Sequence, residues 1–437
     1  MELLRYIWGE LSASQQLELM KRPPQSNHKS HLADVKDIIA SVRKRGDEAL
    51  LEYTKTFDRA ELRSLEVTQA EFQQARESLT DVQIDAIDVA IENVRCFHEQ
   101  QLAAPIDIQT IEGVRCQRIS HPIDSVGLYV PAGSAPLPST AIMLAVPAVL
   151  AACPDRVLCT PCQANGRADA AVLTAAFRAG IRRVFKLGGA QAIAAMAYGT
   201  ESVPAVQKIF GPGNAWVTTA KTIVGADPHC AAIDMPAGPS EVLVIADDEA
   251  SAEFVASDLL SQAEHGPDSQ AILICTSSDF AGSVADAVSA QLQHLPRQAT
   301  ATAALRHSRI FVVRTVAEAV DISNRYAPEH LIVQTRDARA LLPSIRNAGS
   351  VFLGPWSPES VGDYCSGTNH VLPTHGAAKR YSGLGLDHFV RHMTVQELTE
   401  DGLRALAPSV IELATLEGLA GHARAVHYRL GNGAASE

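Results

Sequence analysis

The feature that most constrains this chain is an alternation. Between about residues 120 and 375, short β-branched runs at 125–130, 156–159, 183–187, 241–246, 271–276, 309–313, 330–334 and 350–353 take turns with Ala-rich or amphipathic stretches such as 169–178, 250–265 and 280–291. Strand, helix, strand in regular order predicts parallel sheets, because a parallel neighbour is reached only by a long crossover. A single sheet would accommodate these runs, but 437 residues fit two sheets in two domains better. The flanks have another texture. Residues 1 to about 105 are polar and helical, and Ile84, Ile87, Ile91 and Val94, spaced by threes and fours, mark an amphipathic helix. From about 395 helix returns, with Leu413, Leu416, Ala420 and Ala423 along one face up to Val426. The tail 431–437 is expected to be disordered.

Charge and apolar content narrow the function. Lys plus Arg is 37 against 49 Asp plus Glu, a net of -12, which argues against nucleic acid or an anionic membrane as the main partner. Met1 to Tyr6 lacks the pattern of a secretory signal. The most apolar run, 141–153, is interrupted by Pro147 and falls short of the ~20 residues of a membrane helix. A cytoplasmic location is expected, and with it eight reduced cysteines. Cys159 and Cys162 have the CxxC spacing, but without a second such pair a redox or metal role is not favoured.

A dinucleotide fingerprint is absent. Gly211-Pro212-Gly213-Asn214 and Gly383-Leu384-Gly385 each lack the third glycine of G-x-G-x-x-G. Two other Gly-rich loops, 130–134 after a strand and 187–191 before a helix, offer backbone N–H groups that can approach a pyrophosphate. Four segments carry polar chemistry. Gln262 and His265 share one face of a helix ending at Gly266-Pro267, where His265 is either a C-terminal cap or a ligand. Glu329 and His330 stand at the start of a strand, where neighbours face opposite ways, so both reach one site only if the backbone is irregular. Asp363 lies in a polar, Gly-flanked loop at 361–370, and Glu417 and His422 lie in the last helix. Histidine, carboxylate and a neutral oxygen donor make a plausible zinc shell, but spacing alone does not join them.

Together the segments resemble the histidinol dehydrogenase family. The run from Ile233 to Glu241, continuing to Ser261-Gln262-Ala263-Glu264-His265-Gly266, is similar to its long signature. GLYVPAG at 127–133, KLGGAQAIAA at 186–195, FGPGN at 210–214, APEHL at 327–331, GDYCSGTNHVLPT at 362–374 and the EGL-to-His motif at 417–422 occur in the family's order. The resemblance implies an α/β fold of two Rossmann-like parallel-sheet domains lacking the glycine fingerprint, with small helical N- and C-terminal regions. The divisions expected are 1–25 as an N-terminal helical arm, 26–130 with 240–382 as the metal and catalytic domain, 131–239 as the NAD domain, and 383–437 as a helical region crossing to a partner subunit.

It implies oxidation of L-histidinol to L-histidine through L-histidinal with two NAD, in histidine biosynthesis, by a homodimer with one zinc per site. Zinc falls to Gln262, His265, Asp363 and His422, which with Ser240, His330 and Glu417 also hold substrate. Acid/base work falls to Glu329 and His330, and NAD to Tyr129, Gln191 and Asn214. A neutral imidazole suits removal of an alcohol proton, and a carboxylate suits activation of the water that hydrates the aldehyde. Rivals are a thiohemiacetal on Cys116 or Cys153, a related enzyme for another small polar alcohol, and a silent scaffold. Trp216, where the family pattern suggests Tyr, and Cys365, where it suggests a small residue, touch no expected ligand.

Overall fold

The alternation resolves into two parallel sheets. In this computed structural model the described residues are 3–23, 28–132, 135–235 and 238–431, with side chains 28–30 excluded. Gly133 and Ser134 of one expected loop, Pro236 and Ala237 of the long signature, and the tail from 432 lie outside them. The chain divides into two compact units, Met1–Gln101 with Ile123–Phe389, and Leu102–Pro122 with Val390–Glu437.

The first unit holds both sheets. Six strands run in the order Leu4–Ile7, Arg309–Val312, Gln270–Cys275, Glu241–Ala246, His330–Gln334, Ser350–Leu353, all parallel. Five run in the order Arg183–Lys186, Asp155–Thr160, Ser125–Tyr129, Lys208–Phe210, Ala232–Ile233, also parallel. Glu241–Ala246 and Gln270–Cys275 are buried at every position, which explains why their lettering is apolar throughout after the first residue: helices cover both faces. In the five-stranded sheet, and in the six-stranded sheet after its edge strand Leu4–Ile7, the chain starts in the middle, adds strands on one side, then crosses to the other. The crossing points lie between Glu241–Ala246 and His330–Gln334, and between Ser125–Tyr129 and Lys208–Phe210. Such switch points open crevices where ligands settle.

Segments before residue 131 contribute to the five-stranded side. Ser125–Tyr129 is its central strand, and Val35, Ile38, Ile39 and Val42 of the helix His28–Arg45 pack into its core. The amphipathic helix read at Ile84 to Val94 is Asp81–Glu99, opened by a capping box between Thr80 and Gln83 and burying the expected isoleucines.

Three details go beyond the expected helical termini. The N-terminal arm is not purely helical: Leu4–Ile7 is an edge strand, mostly exposed and so without alternating burial to reveal it. The C-terminal region is not purely helical either. Val390–Leu398 is a strand antiparallel to Val114–Pro122, which pairs in turn with Ile106–Ile111 to form the sheet of the second unit. Finally, the apolar stripe from Leu413 to Val426 spans two helices, Glu400–Leu416 and Ala420–Arg429, because Gly418 takes a left-handed φ of 72° between them.

Candidate active site

A cavity of about 890 Å³ opens in the first unit where the two sheets present opposite ends. The five-stranded sheet contributes the segments after its strands: Pro131 and Ala132, Pro161, Gly188 to Gln191, and Pro212 to Trp216. The six-stranded sheet contributes the segments before its strands: Gly238 to Ser240, His265 to Ser269, and Glu329.

On the five-stranded side two helices begin at the cavity, Gly189–Tyr198 and Ala215–Gly225. Their unsatisfied N–H groups and dipoles favour an anion there. Asn214 caps the second helix by accepting from the N–H groups of Trp216 and Val217 (3.1 and 3.2 Å). The Tyr129 hydroxyl accepts from the N–H of Gly189 (3.0 Å), and Gln191 is buried in the same turn. Gly211 has φ 121°, and a Cβ there would lie 2.1 Å from the carbonyl oxygen of Tyr129. Its N–H donates to Asp234 (2.8 Å) and its carbonyl accepts from Lys221 (2.7 Å), while Lys221 and Asp234 form a buried pair at 2.5 Å. Tyr129, Gln191 and Asn214 all line the cavity. So does Asp58, whose carboxyl is pushed up to about 6 by burial.

The six-stranded side carries the titratable groups. The helix Ala252–Ala263 ends at the site, with Gln262 buried in its last turn and His265 just beyond and exposed. Asp363 is not in a loop: it lies in the last turn of the short helix Glu359–Tyr364, with Glu359 one turn before it on the same face. Ligand atoms of His265, Glu359 and Asp363 all lie within 4.8 Å of one another. Turned so that it is satisfied, the Gln262 amide donates to Glu359 (2.9 Å). His370, which falls inside the 362–374 motif, lines the cavity 3.9 Å from Asp363. Reasoning from sequence missed Glu359, although its spacing of four from Asp363 is a signal in the lettering.

Glu329 and His330 do meet, at 3.6 Å. The irregular backbone this needs is present, since Ala327 has φ 56° and Pro328 comes next, before the strand begins at His330. One residue holds both side chains: the N–H of Glu241 donates to Glu329 Oε2 (2.9 Å), and its carbonyl pairs with His330 Nδ1 (3.1 Å). Burial pushes the Glu329 and Glu359 carboxyls up to about 8. Burial would lower the His330 pKa, but Glu359, Glu329 and Asp363 outweigh it and hold it well above the ordinary value. Burial would raise that of Asp363, but His330, His370 and His265 keep it below the ordinary carboxylate range.

Ser240 lines the cavity. Glu417 and His422 belong to the second unit, Glu417 as the C-cap of Glu400–Leu416 and His422 in the first turn of Ala420–Arg429, both exposed. The cavity's lining comes entirely from the first unit. Cys159 and Cys162 are buried, and burial pushes both thiols up, against a redox or metal role.

Comparison with known proteins joins these features. Residues 21–430 match the family model described as histidinol dehydrogenase. A histidinol dehydrogenase of Photobacterium profundum is 54% identical over 424 residues, covering 97% of this chain and 95% of that one. That of Escherichia coli strain K12 is 54% identical over 423 residues, covering 97% and 96%. The crystal structure of histidinol dehydrogenase from Elizabethkingia anophelis superposes with a TM-score of 0.95 at 44% identity, covering 98% of each chain. This chain belongs to the histidinol dehydrogenase family of NAD-dependent oxidoreductases of histidine biosynthesis.

Proposed function

We propose that the cavity carries out both oxidations, L-histidinol to L-histidinal and then to L-histidine, with Glu329 and His330 as its acid/base pair. The observation that carries this reading is the convergence of these two residues, joined through Glu241, with the cluster of His265, Glu359 and Asp363; Glu329, His265 and Asp363 line the cavity, and His330 and Glu359 are buried beside them. The donor set fits a zinc ion: a buried carboxylate, an imidazole whose pKa burial lowers, and a neutral amide at Gln262. Gln262, His265 and Asp363 would hold it, and His422 would complete the shell. When bound, zinc would polarise and orient the alcohol, and NAD would accept hydride.

The chain's own groups supply the proton traffic. With the Nδ1 proton donated to the Glu241 carbonyl, His330 Nε2, buried without a hydrogen-bond partner, would take the alcohol proton once the imidazolium favoured by Glu359, Glu329 and Asp363 has given up its Nε2 proton. Glu329, once ionised, takes the proton of the water that adds to the aldehyde. Ser240 would hydrogen-bond substrate, and Glu417 would pair with a cationic part of it. On the other side Tyr129, Gln191 and Asn214 would flank NAD, with the two helix N-termini facing its pyrophosphate.

A homodimer accords with the same reading, with Glu417 and His422 supplied by a second copy. The second unit exposes Ile106, Ile108, Met393, Leu413 and Leu416, an apolar load that such a contact would cover. Among the described residues no helix is long and apolar enough to cross a membrane. A cytoplasmic setting suits free thiols at all eight cysteines. The test is the NADH formed per L-histidinol consumed. Two per substrate, lost on chelation and restored by zinc, is expected; one would remove the water-activating role of Glu329, and none from zinc-loaded dimer would point to another alcohol.

A further inference from the structure

Two residues outside the chemistry above converge on its acid/base pair. Glu241 is almost fully buried, and its backbone alone bonds both Glu329 and His330. Its side chain is gripped from a distant segment. Arg22 Nε donates to Glu241 Oε1 (2.6 Å) and Arg22 Nη2 to Oε2 (2.8 Å), a two-pronged fork onto one carboxylate. The N–H of His375 donates to the same Oε1 (2.6 Å). Arg22 Nη2 also donates to the carbonyls of Tyr326 (2.9 Å) and Ala327 (3.2 Å). Its guanidinium lies over the Tyr326 ring, 3.9 Å from the centroid.

We propose that Arg22 is a positioning residue for the reaction, setting the alignment of Glu329 and His330 by locking Glu241 to the turn that precedes them. Glu241 starts one strand and His330 starts its neighbour, and Ala327-Pro328 is the irregular turn that lets Glu329 and His330 share a site. A non-glycine residue at φ 56° is strained and persists only where its surroundings over-determine it. Arg22 does this by holding the Ala327 carbonyl while holding the residue to which Glu329 and His330 are bonded. A buried ion pair is a weak way to join two strands, because desolvation offsets most of its attraction. What the planar fork supplies is direction, which lysine cannot reproduce. Misplacing a reacting group by about 1 Å costs about a hundredfold in rate.

This inference rests on the reading of Glu329 and His330 as acid and base, and the test separates the two. Full-length, zinc-loaded R22A and R22K are compared with the parent and with E329Q and H330N, and kcat, the KM for NAD and the folded fraction are measured. R22A is expected to lose about a hundredfold in kcat and R22K about tenfold per folded molecule, with the KM for NAD within about twofold. Millimolar guanidinium should restore R22A saturably. If R22A does not fold, R22K decides. Folded R22K with kcat within about twofold of the parent would overturn the proposal, as would an R22A loss that matches its unfolded fraction and ignores guanidinium. Parental activity in E329Q and H330N would overturn the acid/base reading instead.

Discussion

The two parallel sheets share a wiring scheme and use it in opposite senses. The five-stranded sheet meets the cavity with the carboxyl ends of its strands, so helices begin there and their positive ends face inward. The six-stranded sheet meets it with the amino ends, so the helices Ala252–Ala263 and Glu359–Tyr364 finish there, negative end inward. The field of the helix ends favours an anion at one edge and a cation at the other. Their interiors differ in the same sense. The five-stranded edge is shaped by close backbone approach at Gly211 and by the pair Lys221–Asp234, whereas the six-stranded edge gathers Glu329, Glu359, Asp363 and three histidines. The sheet's direction, more than its topology, decides which chemistry an edge can host.

This division of labour can be broken experimentally. The largest effect is expected on the six-stranded edge. E329Q and H330N should each lower kcat about a thousandfold while NAD affinity, read from quenching of tryptophan fluorescence with Trp216 at the cavity, stays within about threefold. A parallel loss of NAD affinity would mean that the edges do not act separately.

On the five-stranded edge the effect should be structural. Lys221→Met leaves Asp234 buried without its cation and should cost about 3–5 kcal/mol in urea unfolding. A loss below about 1 kcal/mol would show that the Gly211 turn stands without this brace.

The smallest effect concerns Asp58. Its folded pKa, raised to about 6 by burial, lies above the unfolded value, so its contribution to stability is fully present below about pH 4 and is lost as pH rises through 6. Asp58→Asn removes that loss. The variant should be more stable than the parent at pH 8 by about 1 kcal/mol, after discounting for partial exposure, and no more stable at pH 4. An equal gain at both pH values would assign the effect to something other than ionisation.

Legibility in the sequence tracks burial. Strands such as Glu241–Ala246, covered on both faces, show as continuous apolar runs after the first residue. Ile106–Ile111, exposed at every position, carries no such mark, and Leu4–Ile7 is scarcely better hidden. The helical stripe near the C-terminus misleads because apolar spacing says nothing about the backbone at Gly418. In the site, Gln262 is readable from helical spacing while His265 falls just past the helix end, and the demand for an irregular backbone at Glu329-His330, which Ala327 meets, is readable too. That these distant segments belong together comes from the family's motifs, since spacing carries no information about contacts made by tertiary folding. Glu241 shows the limit most clearly: its backbone does the holding, and backbone groups leave no signature in the lettering.

The edge strand Leu4–Ile7 has a consequence for how the molecule is made. Leu4 sits opposite Arg309, so this strand is made long before the strand it pairs with. Contacts of such long sequence separation form late and slowly. Until Arg309–Val312 is made, Leu4–Ile7 would be an unpaired strand segment open to misassembly. Its brevity, its exposed side chains and its Arg5 are features that keep a waiting strand from pairing with the wrong neighbour.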